Sequence, residues 1–125
     1  SDISEEAISL TKRNIDKALL KEFIQVKKAD FRTLNSPPGG GMIILNPPYG
    51  ERLKEDELEN FYEEIGDTFK KKYPGYQAWI LSANFPALKH IGLHPEKKYE
   101  LINGSLKCKF QKYSIYEGSK KPKKP

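Results

Sequence analysis

The sequence predicts an α/β fold: a mostly parallel sheet with helices on its faces, closed by an antiparallel hairpin at the C-terminal end. Two observations carry this. Helical and strand periodicities alternate along most of the chain, which is the pattern of strands joined by crossover helices. Near the end, Asn103-Gly104 is a strong hairpin signal between two strand-like runs. A third feature stands out from the rest. The apolar run Met42-Ile43-Ile44-Leu45 leads directly into Asn46-Pro47-Pro48-Tyr49, within the string NPPYGERL at positions 46–53.

Taken in order, Ser4 is a helix N-cap with Glu5 and Glu6 in the first turn. Ile8, Thr11, Ile15 and Leu19 follow at helical spacing. Phe23 to Lys27 alternates weakly and reads as a strand, ending before Ala29-Asp30-Phe31. Asn35 to Gly41 is a connection. Its three glycines lack the Lys-Ser/Thr of a phosphate-binding loop and precede a strand instead of opening a helix. Met42–Leu45 reads as a buried strand. Glu55 to Tyr73 places Leu58, Phe61, Tyr62, Ile65 and Phe69 on one helix face, and Pro74-Gly75 stops it. Ala78 to Leu81 reads as a further buried strand, and Phe85 to His90 as a short helix ending at Gly92. Tyr99–Ile102 and Leu106–Tyr116 form the closing hairpin, with a phase shift near Lys112 that suggests a bulge.

The 125 residues are one domain's worth of chain, 37% hydrophobic and 31% charged, with room for a modest core. The expected organisation is a body over 1–117 and a basic Lys/Pro tail over 118–125. No apolar run approaches the roughly 20 residues of a membrane span. The lone Cys108 has no partner for an internal disulfide, which suits a reducing cytoplasm. His90 and His94 lack Cys or acidic neighbours at ligand spacing, so no metal is expected. The net charge of +5 permits nucleic-acid binding; four of the lysines stand between Gly118 and Pro125.

Asn46-Pro47-Pro48-Tyr49 is a stiff turn. Each proline fixes its own φ and drives the residue before it into extended backbone. The carbonyls of Asn46 and Pro47 become a rigid acceptor pair beside an aromatic ring, suited to holding the exocyclic amine of a flat heterocycle.

Four islands together, Ser1-Asp2-Ile3, Ala29-Asp30-Phe31, NPPYGERL and Asn103-Gly104 with its following strand, resemble class I S-adenosylmethionine-dependent methyltransferases. More narrowly, they resemble bacterial enzymes that modify guanine N2 in 23S ribosomal RNA, often labelled N6-adenine-specific DNA methylases. The resemblance implies a partial Rossmann-like methyltransferase sheet that lacks the first strand and its Gly-rich loop, and hence a C-terminal fragment of a catalytic domain that is inactive alone. It implies S-adenosyl-L-methionine as cofactor, with Asp2 on the ribose, Ile3 against the adenine, Asp30 accepting from the adenine amine beside Phe31, and Asn46 nearby. In the catalytic group Asn46, Pro47, Pro48 and Tyr49, the first two would accept from the target amine and Tyr49 would stack on the base. Gly50 and Arg52 would line the substrate side; Arg52 has the alternative of pairing with Glu51 or Glu55. The implied partner is ribosomal RNA. An open edge along Met42–Leu45 is expected to pair with another chain, as in a homo-oligomer, or to be otherwise covered. An adenine-N6 DNA methyltransferase and a noncatalytic RNA-binding module on the same fold remain as alternatives.

Overall fold

The computed structural model describes residues 4–22, 24–26, 28–30, 32–48 and 53–116, and at Asn103 the backbone alone. The chain divides into two compact units, Ser1–Asn35 and Ser36–Pro125.

The first unit holds helix α1, Glu5–Lys17. Ser4 caps it by accepting the Ala7 N–H, and Glu5 and Glu6 complement the positive end of the helix. Ile8 and Ile15 are its buried residues. Leu19, placed by periodicity on the same face, lies beyond the helix end at φ 60° and is 86% exposed. The strand expected over 23–27 is not present in its described residues, 24–26. A strand exists only through a ladder, and here the Ile24 N–H turns back to the Leu20 carbonyl at 3.1 Å. Among the described residues of this unit, Lys28 is a bridge residue.

The second unit is a four-stranded mixed sheet in the order β1-β2-β4-β3, built from β1 (Gly41–Leu45), β2 (Tyr76–Ser82), β3 (Lys97–Asn103) and β4 (Leu106–Ser114). Strands β1 and β2 are parallel, joined through helix α2 (Glu55–Lys72); β2–β4 and β3–β4 are antiparallel. Helix α3 (Phe85–Leu88) runs into a 3-10 turn, Lys89–Ile91, ended by Gly92 at φ 77°. The hairpin loop is Gly104-Ser105, because Asn103 already pairs with Leu106.

Ladder partners point to the same side of a sheet. One face therefore carries Ile43, Leu45, Tyr76, Ala78, Ile80, Ser82, Gln111 and Tyr113. From Tyr76 to Tyr113 this set is buried, and α2 covers it with Leu58, Tyr62, Ile65 and Phe69. The opposite face carries Met42, Ile44, Trp79, Tyr99, Leu101 and Phe110. There Trp79 stacks on Phe110 (centroids 4.6 Å) and on Tyr99 (6.2 Å). The register of β4 is continuous against both neighbours, so the expected bulge at Lys112 is absent. The phase shift has another cause: β4 buries Cys108 on one face and Gln111 and Tyr113 on the other.

Strand β1 lies at the sheet edge, as expected, but its apolar run is not the buried strand expected. Met42 and Ile44 are 61% and 65% exposed, while Ile43 and Leu45 are half-buried. Gly66 sets the contact between α2 and the 3-10 turn: a methyl group there would overlap the Ile91 carbonyl oxygen.

Candidate active site

Parallel β1 and β2 end side by side, with Leu45 paired to Ile80, so residues 46–48 and 82–84 leave the sheet at the same edge. In open α/β sheets this carboxyl edge is where ligands bind. Asn46 and Pro48 are exposed there, and Pro47 is buried. The ring that stiffens the turn also wedges it into the domain.

A chain of hydrogen bonds ties the two strand ends together. Tyr62, buried on α2, donates its hydroxyl proton to the Pro48 carbonyl oxygen at 2.9 Å. Tyr62 and Ser82 hydroxyls lie 2.7 Å apart. A phenol has one proton to give, so Ser82 must donate to Tyr62. The Ser82 oxygen in turn accepts the Asn84 N–H at 3.1 Å. Asn84 then caps α3, its side-chain oxygen accepting the Ala87 N–H at 2.9 Å. Ser82 and Tyr62 are fully buried, and each hydroxyl has partners, as burial requires.

Asp30, in the first unit, sits at a turn. Its Oδ1 accepts the Arg32 backbone N–H at 2.9 Å, and both carboxylate oxygens accept from the Arg32 guanidinium, the shortest contact being 2.6 Å. These side-chain and backbone bonds from Arg32 hold the Asp30 carboxyl below its ordinary value. The residue is an ionised, oriented acceptor whose oxygens are at present engaged by Arg32.

The remaining expected site residues, Asp2, Ile3, Phe31, Tyr49, Gly50 and Arg52, lie outside the described residues. His90 is paired with Glu59 at 3.3 Å. In the sequence Tyr62 belongs to the apolar stripe of α2, and nothing marks Ser82, which follows the expected strand. A tyrosine amid buried Leu, Ile and Phe needs a partner for its hydroxyl, and that requirement was the available signal.

A parallel βαβ unit with a proline-stiffened loop at its carboxyl edge, closed by an antiparallel hairpin, is an open α/β fold, and its likeness to known proteins places it in the methyltransferase class. Residues 1–112 match the family model of the RMKL-like methyltransferase domain, and the chain belongs to that family. Among curated relatives, the ribosomal RNA large subunit methyltransferase K/L of Shewanella baltica is 37% identical over 120 residues. The match takes in 95% of this chain and 17% of that protein, so the chain spans about a sixth of the relative's length. Among solved structures, SMU.472, named as a candidate methyltransferase and complexed with SAH, superposes with a TM-score of 0.84 at 25% identity, over 94% of this chain and 31% of that one. A protein from Listeria monocytogenes named as a predicted N6-adenine-specific DNA methylase gives 0.75 at 25% identity, over 91% and 29%.

Proposed function

We propose that this chain supplies the target-base side of an S-adenosylmethionine-dependent methyltransferase acting on an exocyclic amino group, guanine N2 of 23S ribosomal RNA. The observation that carries the reading is the anchored loop. The Pro48 carbonyl is committed to Tyr62, and Pro47 is buried, so the Asn46-Pro47 acceptors stand on a fixed base at the carboxyl edge of the sheet.

An amine conjugated with a purine ring is a poor nucleophile. Acceptors on its two hydrogens, the Asn46 side chain and the Pro47 carbonyl, draw its lone pair out of conjugation and orient it. The bound cofactor supplies an activated methyl group on a sulfonium, a good leaving group. Positioning and electrostatics therefore do most of what the protein must contribute. A base in paired RNA is first unstacked, and Tyr49 provides a replacement stacking surface. Asp30 fits the adenine amine of the cofactor because it is ionised and oriented, with Arg32 yielding one carboxylate oxygen. Asp2, Ile3 and Phe31 complete the cofactor side in this reading, and Gly50 and Arg52 the substrate side.

Shared sequence with the K/L methyltransferase supports ribosomal RNA as the substrate. Because the chain spans so little of that protein, the activity is assigned to the whole protein and not to these 125 residues alone. Replacing Asn46 with Ala in the intact protein should abolish methylation of ribosomal RNA and leave RNA binding within about twofold. Unchanged methylation would refute the reading. The Listeria neighbour's name favours one second reading, adenine N6 in DNA; methyl incorporation into naked DNA, with none into ribosomal RNA, would select it.

A further inference from the structure

We infer that Tyr62 and Ser82 are positioning residues for methyl transfer, acting through the Pro48 carbonyl. The inference rests on the proposed role of Asn46 and Pro47. Both proline rings fix φ at about −65°. Pro48 restricts the ψ of Pro47 to extended values. Within the Pro47-Pro48 pair, the ψ of Pro48 is left as the one backbone angle that the prolines do not set. The Tyr62 hydroxyl holds it, by a 2.9 Å hydrogen bond to the carbonyl whose direction that angle determines. Ser82 holds Tyr62 in place at 2.7 Å and is itself held by the Asn84 N–H at 3.1 Å. The acceptor loop after β1 is thereby locked to the end of β2 through a buried side chain of α2.

A burial role alone would need no hydroxyl at position 62, since a phenylalanine ring fills the same space. The hydroxyl is aimed at one loop, the loop that carries the proposed acceptors. Tyr113 gives the matched comparison. It is equally buried, and its hydroxyl accepts from Gln111 Nε2 at 2.7 Å, within β4.

The test uses the intact methyltransferase containing this chain, with ribosomal RNA as substrate, and the variants Tyr62→Phe, Ser82→Ala, Tyr113→Phe and Asn46→Ala. Tyr62→Phe should lower kcat by about 10-fold to 100-fold, the scale on which a misplaced reacting group costs rate, with KM within about twofold. Ser82→Ala leaves Tyr62 able to donate and should lower kcat by a smaller factor, about threefold to tenfold. Tyr113→Phe should lower the thermal midpoint comparably and leave kcat within about twofold. If Asn46→Ala is inactive while Tyr62→Phe keeps the kcat of Tyr113→Phe, the positioning role is overturned and the motif reading stands. If Asn46→Ala remains active, the motif reading itself falls, and the inference falls with it. Should Tyr62→Phe not fold, Ser82→Ala decides: a kcat equal to that of Tyr113→Phe overturns the inference.

Discussion

Gly66→Ala sets two effects of opposite sign against each other. Gly66 lies inside α2, where alanine is intrinsically favoured over glycine by about 1 kcal/mol. On propensity alone the substitution stabilises. The structure says otherwise. An added methyl would overlap the carbonyl oxygen of Ile91, a backbone atom of a turn whose own side chain is only 1% exposed. Neither partner has a flexible end that can swing aside, so α2 and the 3-10 turn must separate. Overpacking of this kind costs about 1–3 kcal/mol, and backbone overlap belongs at the upper end. Subtracting the propensity gain leaves a net loss of about 1–2 kcal/mol, or several degrees in thermal midpoint for a domain of this size. The assay is urea unfolding of the chain followed by circular dichroism, with Asp67→Ala as the control. Asp67 is the adjacent exposed position, where alanine brings its propensity gain without the overlap. Asp67→Ala should be neutral or slightly stabilised. A Gly66→Ala midpoint at or above that of the parent would refute the account of this contact.

Two further outcomes follow from the same structure. Burial raises the hydroxyl pKa of Tyr113 and of Tyr73 above 10.0. A raised folded value means that the folded state keeps the proton longer. The stabilisation is thus complete below pH 10 and is lost as pH climbs through the folded values. Urea midpoints should fall above pH 10, and Tyr113→Phe should flatten that fall; identical alkaline slopes would contradict it. Ile44→Lys replaces a 65% exposed apolar residue on the edge strand. It should change stability by less than about 0.5 kcal/mol and shift the chain toward monomer in sedimentation, because a lysine on an open edge opposes strand pairing. An unaltered mass distribution between parent and variant, with the parent associated, would remove β1 as the contact.

What the sequence disclosed was mainly local. The Ser4 cap, the apolar stripe of α2, the stop at Pro74-Gly75 and the helix end at Gly92 are written in neighbouring residues, and the structure places them as expected. Strand failures share a different origin. Residues 24–26 have strand-like alternation, but a ladder depends on what lies beside them, and the Leu20–Ile24 turn takes the backbone instead. The run Met42–Leu45 lies at a sheet edge as expected, yet it is not the buried strand its apolar sequence suggests: Met42 and Ile44 face outward, and which face is covered is a property of the whole domain. The supposed bulge at Lys112 arose because periodicity assumes one buried face, whereas β4 packs on both. At the site, the Asn-Pro-Pro turn was visible as a motif. Its anchor was not, because Tyr62 and Ser82 lie 14 and 34 residues beyond Pro48 and meet it only through the crossing of α2 over the ends of β1 and β2.

The aromatic row on the second face of the sheet also makes the molecule its own reporter. Trp79 is the sole tryptophan of the chain, half-buried, and in contact with Phe110 in the middle of that face. Its emission therefore reads a single location. Anything that covers this face displaces water from the indole and moves the spectrum to shorter wavelength, and iodide quenching falls in step. The opposite face, which α2 covers with Tyr62 among others, contributes no tryptophan signal. A change in emission on mixing with another segment, a second copy or RNA thus distinguishes engagement of the aromatic face from engagement of the helix-covered one without any added label.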